Sequence, residues 1–538
     1  MSVQKYIAGA SEDAVTVVMR FKDEEETLRQ VLSAVRAQEY EGNIHIIGID
    51  NASKDGSRRI AEEFADEVLA IYSYEPGKAL NIAIESGVGD IVVVLSGHTI
   101  PCDRSWLTKL TAPLRTTSDR HQILGVYGGQ HYPCTAKFLD KRDLDIFGYA
   151  EPRTEYRHSD FWNANSAFRK AVWKKERFSE RVYELEDHYW TKKLLKGGMY
   201  VRFEPDAFAY HYGHEQRVDR RYPNIVVAEY DAAHTRAREL LDYTCAWEDV
   251  MWAALIFNTL PPISITADDV QRLGRQMQSH WDFDVRWRIA QTLGNIPLEA
   301  SVPILVDALS DESFYVRNEA AWSLRKLLHI SCDQLLARFD KLCGDAKIHG
   351  ALVLGGRVAG NARTTAIRYL ETALNRGQGE YSRNALYAIG EFEAGALPIS
   401  IINACIEATE SVDSAVQATA FWALGRISEY ASIQGAETKM ALACYENTNA
   451  YVRTEATYGL MRYIHAQRNN DFLAVLCQVA SGDLDFRTRY AGTQSLRLLA
   501  ERGHPFKWTP REGDGLYFGI AYELELLDRI LYKEKCDA

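Results

Sequence analysis

Three kinds of side chain in this sequence stand where chemistry could be done. The first is His98, in "DIVVVLSGHTIP" (Asp90–Pro101), where the apolar run Ile91–Leu95 reads as a buried strand that breaks into Ser96-Gly97-His98. Polar, glycine-containing turns after buried strands are where α/β enzymes place a cation or phosphate. A neutral imidazole ligates divalent transition metals but suits Mg²⁺ poorly. The second kind is acidic. Asp50 closes the strand-like "NIHIIGID", where its carboxylate can accept a base N–H or a ribose hydroxyl, and Glu186-Asp187 in "ELEDHYW" pairs two carboxylates, one of which can be a general base. The third is cationic: Lys78 opens a helix with Asn81 after Gly77 and offers a point charge to an anion. Each has a purely structural alternative. Asp50 and Asp55 can cap the turn and helix that follow, Glu186-Asp187 can cap a helix start, and Lys78 can be a surface lysine.

The elements that must hold these groups alternate. "AVTVVMRF" (Ala14–Phe21) is a β-branched run, and "DEEETLRQVLSAVRAQ" then puts Leu28, Val31, Leu32 and Val35 on one helical face. "NIHIIGID" is the next strand, "DGSRRIAEEFAD" the next helix, and "GKALNIAIESGV" leads into the His98 strand. Such alternation predicts βαβ units, a mainly parallel sheet, and ligands at its C-terminal edge.

From about Asp282 the pattern is helical and repeats. "DVRWRIAQTLGNI", "YVRNEAAWSLRKL", "AVQATAFWALGRI" and "YVRTEATYGLMRY" place Val285, Val316, Val416 and Val452 in one register, with weaker echoes near Ile348, Tyr381 and Phe486. A period of roughly 31–36 residues belongs to stacked helical hairpins. Arg286, Arg317 and Arg453 are expected to pair with neighbouring repeats. The expected domains are 1–215, an amphipathic helical connector at 216–281, and the repeats at 282–538. The chain is long enough for several cores, at 538 residues.

A net charge of −12 argues against a broad duplex nucleic-acid footprint. Nine scattered cysteines without a C-x-x-C pair fit reduced thiols. No apolar run approaches the roughly 20 residues of a membrane span, so a cytoplasmic protein without integral membrane contact is expected.

The motifs together resemble the GT-A glycosyltransferases of the large inverting family 2 over about residues 14–214, and the repeats resemble HEAT-type arrays. "VVMRFKDEEETL", "IGIDNASKDGS", "GKALNIAI", "ELEDHYW" and "FEPDAFAYH" follow that family's order. The resemblance implies that Phe21, Asp23 and Glu24 lie where the nucleotide base docks, with Asp50, Lys78 and Asn81 also on the donor. It implies Asp187 as the base, with Glu186 orienting it or the acceptor. "FWNANSAF" becomes an acceptor-side segment, with Trp162 a sugar-stacking platform or core packing and Asn165 beside it, and "YGGQHYP" becomes a loop near the same mouth.

The family's Asp-x-Asp is replaced here by Ser96-Gly97-His98. His98 and His211, with His214 its neighbour, then either ligate Mn²⁺ or Mg²⁺, or His98 donates directly to the diphosphate. The implied function is sugar transfer from a nucleotide donor, a UDP-sugar being the commonest case, to a protein, peptide or soluble acceptor docked on the repeats. A chain cut near Ser279 is expected to keep donor binding. The alternatives are an inactive transferase-like domain in a repeat scaffold, or a transferase building a polysaccharide or natural product. A sugar-nucleotide pyrophosphorylase is disfavoured, because its glycine-rich loop is absent from "MRFKDEEETL".

Overall fold

The computed structural model describes residues 14–72, 75–116, 122–134, 149–157, 159, 161–212, 230–259, 264–327, 332–355, 361–376, 379–392, 397–511, 513 and 516–536. They form two compact units, one of residues 1–226 with 480–538 and the other Val227–Val479.

The first unit is built on a nine-stranded sheet. Its elements in chain order are β1 (Val15–Phe21), α1 (Glu25–Arg36), β2 (Ile44–Asp50), α2 (Ser57–Phe64), β3 (Glu67–Ala70), α3 (Pro76–Ser86), β4 (Ile91–Ser96) and β5 (Thr99–Pro101). There follow α4 (Trp106–Thr116), β6 (Ile123–His131), β7 (Arg153–Glu155), β8 (Asn165–Arg169), α5 (Lys170–Lys175), α6 (Glu186–Lys196) and β9 (Tyr200–His211). The strand order is β3-β2-β1-β4-β8-β6-β9-β5, with β7 added beside β9. β3, β2, β1 and β4 run parallel, β6 pairs parallel with β9, and β8 runs antiparallel between β4 and β6. The segment "YGGQHYP" is therefore largely the end of β6 rather than a loop.

Buried central strands feed two cores by simple alternation. In β4, Ile91, Val93 and Leu95 join α1, α2 and α4 on one face, while Val92 and Val94 join α3, α5 and α6 on the other. The first of these cores also contains Tyr490, Ile520 and Tyr522. They come from the helices Phe486–Glu501 and Phe518–Cys536, which lie far along the chain. The two compact units thus divide the chain differently from the expected limits of 1–215, 216–281 and 282–538. Periodicity detects a repeat but not what its last face is packed against.

The second unit is all-helical, so the expected α/β first half and all-α repeat half are both present. Asp282, Asp413 and Asn449 each cap a helix by accepting backbone N–H bonds, and the register valine lies three residues further on, at Val285, Val416 and Val452. Arg286 pairs with Asp311 at 2.7 Å and Arg317 with Asp345 at 3.1 Å, tying one repeat to the next. Arg317 and Arg453 also donate to carbonyls of the preceding turn, and in the first unit Arg489 does the same to Asp483 and Leu484. The true register position in the helix Phe486–Glu501 is thus the buried Thr488, three after its cap Asp485, and not Phe486. Among the described residues no helix is long and apolar enough to cross a membrane.

Candidate active site

The strand ends converge at one edge of the sheet. Phe21 pairs with Asp50, Arg20 with Ser96, and Thr99 with His211. The chain leaves β1 through Asp23, held at φ 50°. Asp23 ties this loop to the next: its N–H donates to Ser53 Oγ at 3.1 Å, and its Oδ1 accepts from the Lys54 N–H at 2.6 Å. Asp50 is 2% exposed, and its Oδ1 accepts from the Ser53 N–H at 2.9 Å. Asp55 accepts from Ser57 and from the Glu25 N–H, which makes it a capping residue.

The Ser96-Gly97-His98 turn delivers His98 into a buried chain of contacts. His98 Nδ1 lies 3.0 Å from Glu24 Oε1, the Nε2 atoms of His98 and His211 stand 3.0 Å apart, and His211 Nδ1 lies 2.8 Å from Gln130 Oε1. One end of this chain is a carboxylate, an acceptor only; the other is an amide, which presents its oxygen here and an NH2 donor when turned about. With the amide oxygen presented, three links need three hydrogens, and two neutral imidazoles supply two. With both Nδ1–H groups donated outward, two Nε2 lone pairs face each other. A third proton is opposed, because burial and then the Arg20 charge hold the His98 pKa down at about 4. Among the described residues no group of three or more His, Cys, Asp or Glu side chains is placed to hold a metal ion; the two facing nitrogens alone have the spacing of two ligands about 2.1 Å from one ion and at right angles about it, about 3.0 Å. Carboxylate and amide partners on the remote ring nitrogens are the usual support of metal-ligating histidines. Two imidazoles suit Mn²⁺ or another transition ion better than Mg²⁺.

The paired carboxylates are tied to the end of β1 through Arg20. Leu185 takes a left-handed conformation, φ 55°, immediately before α6, and so turns Glu186 and Asp187 inward. A leucine there costs of order 1 kcal/mol, and such strain gathers at functional sites. Glu186 Oε1 receives Arg20 Nη1 at 2.6 Å. Asp187 accepts the Asn163 and His188 N–H groups at 2.8 and 2.9 Å. Its pKa is raised, first by burial and then by the charge of Glu186. The Trp162 ring meets His188 edge-on with centroids 4.7 Å apart, and its buried Nε1 has no hydrogen-bond partner among the described residues.

Several of the expected residues are engaged within the first unit itself. Phe21 is 4% exposed and its ring belongs to the core. Glu24 turns its carboxylate to His98 rather than outward to a nucleotide. Asn81 is saturated by Phe178 O, Glu180 and the Trp173 indole N–H, and Asn165 by Gly129 O, Ala207 O and the Trp106 indole N–H. Lys78 is exposed and lies 3.4 Å from Glu75. His214 lies outside the described residues. Sequence reasoning missed Arg20 and Gln130; Arg20 could have been found as a charge at the end of an otherwise buried strand. An open pocket of about 450 Å³ lined by Lys109, Tyr200, Arg202 and Glu204 contains none of these groups.

The sheet is mixed with mostly parallel strands, as in a GT-A domain. Residues 16–175 match the model of glycosyl transferase family 2, and residues 270–346 match that of HEAT repeats. The chain therefore carries a family 2 glycosyltransferase domain and HEAT repeats. No curated protein matches the sequence. Among solved structures, Staphylococcus aureus TarS 1–349 is 14% identical, with 58% of this chain and 89% of that one covered at a TM-score of 0.31. The mannosyltransferase PcManGT of Pyrobaculum calidifontis, solved with GDP-Man and Mn²⁺, is 15% identical over 65% and 90% of the two chains, TM-score 0.32. Glucosyl-3-phosphoglycerate synthase of Mycobacterium tuberculosis is 18% identical over 38% and 70%, TM-score 0.26.

Proposed function

We propose that the first unit transfers a sugar from a nucleotide donor to an acceptor with inversion. The acceptor oxygen or sulfur bonds to the anomeric carbon as the bond to the nucleoside diphosphate breaks on the opposite side. Asp187 takes the acceptor's proton, and its raised pKa suits it to that task. Asp50 and Asp23 hold the nucleoside at the ends of β1 and β2, the donor being a UDP-sugar. Trp162 faces the acceptor.

His98 and His211 would hold a divalent cation, Mn²⁺ in preference to Mg²⁺, with Glu24 and Gln130 keeping each Nδ1–H in place. When bound, the cation would neutralise the donor diphosphate. The helical unit Val227–Val479 is the docking surface for a protein, peptide or other soluble acceptor, as stacked repeats commonly are. The observation that carries this reading is the convergence of a buried carboxylate pair with the Asp50 and His98 strand ends through Arg20, which is ion-paired to Glu186.

Thermal-shift measurement with UDP and GDP, each with and without Mn²⁺, tests it. A nucleotide at 100 times its Kd should add about 2.7 kcal/mol of stability. No shift with any nucleoside diphosphate under any metal condition would sink the proposal.

A further inference from the structure

Glu186 and Asp187 are neighbours at the start of α6, 5% and 8% exposed. Two buried like charges this close need compensation, or one of them takes a proton. The surrounding groups treat the two differently. Glu186 Oε1 is met by Arg20 Nη1 at 2.6 Å and by Asn163 Nδ2 at 3.4 Å. Asp187 is met by two backbone N–H groups, those of Asn163 and His188. Among the described residues, the charged and titratable groups that act on Asp187 besides Glu186 are Arg20 from β1 and His188 from α6 itself; Asn163, from the segment before β8, is neutral.

We propose that Arg20 is a positioning residue that divides the roles of this pair: by keeping the negative charge on Glu186, it leaves Asp187 as the group that gains and loses the proton. The inference rests on the transferase reading for calling Asp187 a base, but the placement of the proton is a property of the resting protein. The influences on Asp187 agree with the geometry. Burial and Glu186 raise its proton affinity, while His188, the Asn163 N–H and Arg20 lower it. Arg20 thus does two things at once. It sustains the charge that raises Asp187, and it limits that rise.

Infrared titration of the full-length protein without ligand tests this, because a protonated buried carboxyl absorbs apart from carboxylates. Asp187→Asn and Glu186→Gln identify whose signal is seen. In the wild type the signal should vanish with Asp187→Asn and persist with Glu186→Gln. In Arg20→Gln its midpoint should rise by about 1 to 3 in pH, and neither carboxylate substitution alone should remove it. Arg20→Lys should restore most of the wild-type midpoint.

A midpoint unmoved in Arg20→Gln, or a wild-type signal that vanishes with Glu186→Gln, overturns the proposal. If Arg20→Gln does not fold, Arg20→Gln/Glu186→Gln removes both charges and remains testable. Its Asp187 midpoint should then fall below the wild type, and one above it overturns the assignment. The titration needs no donor, so its failure and the failure of the transferase reading are separate results.

Discussion

Asp187 is the residue on which turnover should depend most. Asp187→Asn is expected to keep donor binding and lower transfer by about 100-fold or more, checked by donor-saturated turnover beside a nucleotide thermal shift. Its pKa is raised in the fold, so activity should fall with acidification at a pH above the ordinary aspartate value of about 3.9. The sign for stability is opposite to that of a salt-bridged carboxylate. Ionised Asp187 opposes folding above its unfolded pKa, and that cost fades as pH falls through the folded value.

His98 makes a second prediction at this scale. If it and His211 hold a cation, His98→Ala should weaken Mn²⁺-dependent donor binding, while His98→Asp should retain it and improve use of Mg²⁺. If His98 touches the diphosphate directly, EDTA should leave donor binding intact and Asp should be worse than Ala. Donor affinity of both variants with EDTA, Mg²⁺ and Mn²⁺ separates the two.

At the scale of elements, close approaches hold these residues in place. A side chain on Gly97 would bring its Cβ to 2.6 Å from Phe21 Cβ and 3.1 Å from Arg20 O. Gly97→Ala should therefore push β1 and the His98 turn apart at a cost of about 1–3 kcal/mol, read from the denaturant midpoint. β9 is held from its other side. The Tyr212 N–H donates to His98 O at 2.8 Å, and the Tyr212 hydroxyl donates to Glu523 at 3.0 Å. Glu523 is fully buried, also accepts from Gln494 at 3.1 Å, and pairs with Arg497. Glu523→Ala leaves that arginine without its buried partner and should cost about 3–5 kcal/mol. A melting temperature near the wild-type value would show that the network adds no stability.

Over the whole molecule, the consequence concerns where the chain can be cut. A fragment ending near Ser279 follows from the change of period in the sequence. The first unit, however, includes residues 480–538. Ending the chain at Val479 or earlier removes Tyr490, Ile520 and Tyr522 from the core that β1, α1 and α4 share. Such fragments should lose the cooperative unfolding transition of the first unit and its nucleotide-induced thermal shift. A 1–279 fragment that binds UDP as the full chain does would refute this.

What the sequence determined by itself was local. Alternating β-branched runs and amphipathic helices named the α/β half, because a strand buried on both faces must be apolar throughout. The cap-plus-three valines and their arginines named the repeats, because each hairpin must bury the same face against its neighbour. Asp50, His98, Glu186 and Asp187 were legible because each stands at the end of a patterned element. The tertiary structure alone decided what such patterns cannot contain. Asn81 and Asn165 sit at motif positions, yet their amides are filled by partners remote in sequence. Glu24 belongs to His98, and Arg20 to Glu186 across 166 residues of chain. Tyr490, Ile520 and Tyr522 join a core whose other buried members precede them by hundreds of residues, and Glu523 accepts from Tyr212 across a similar span. Periodicity reports which face of an element is buried, and only packing decides against what.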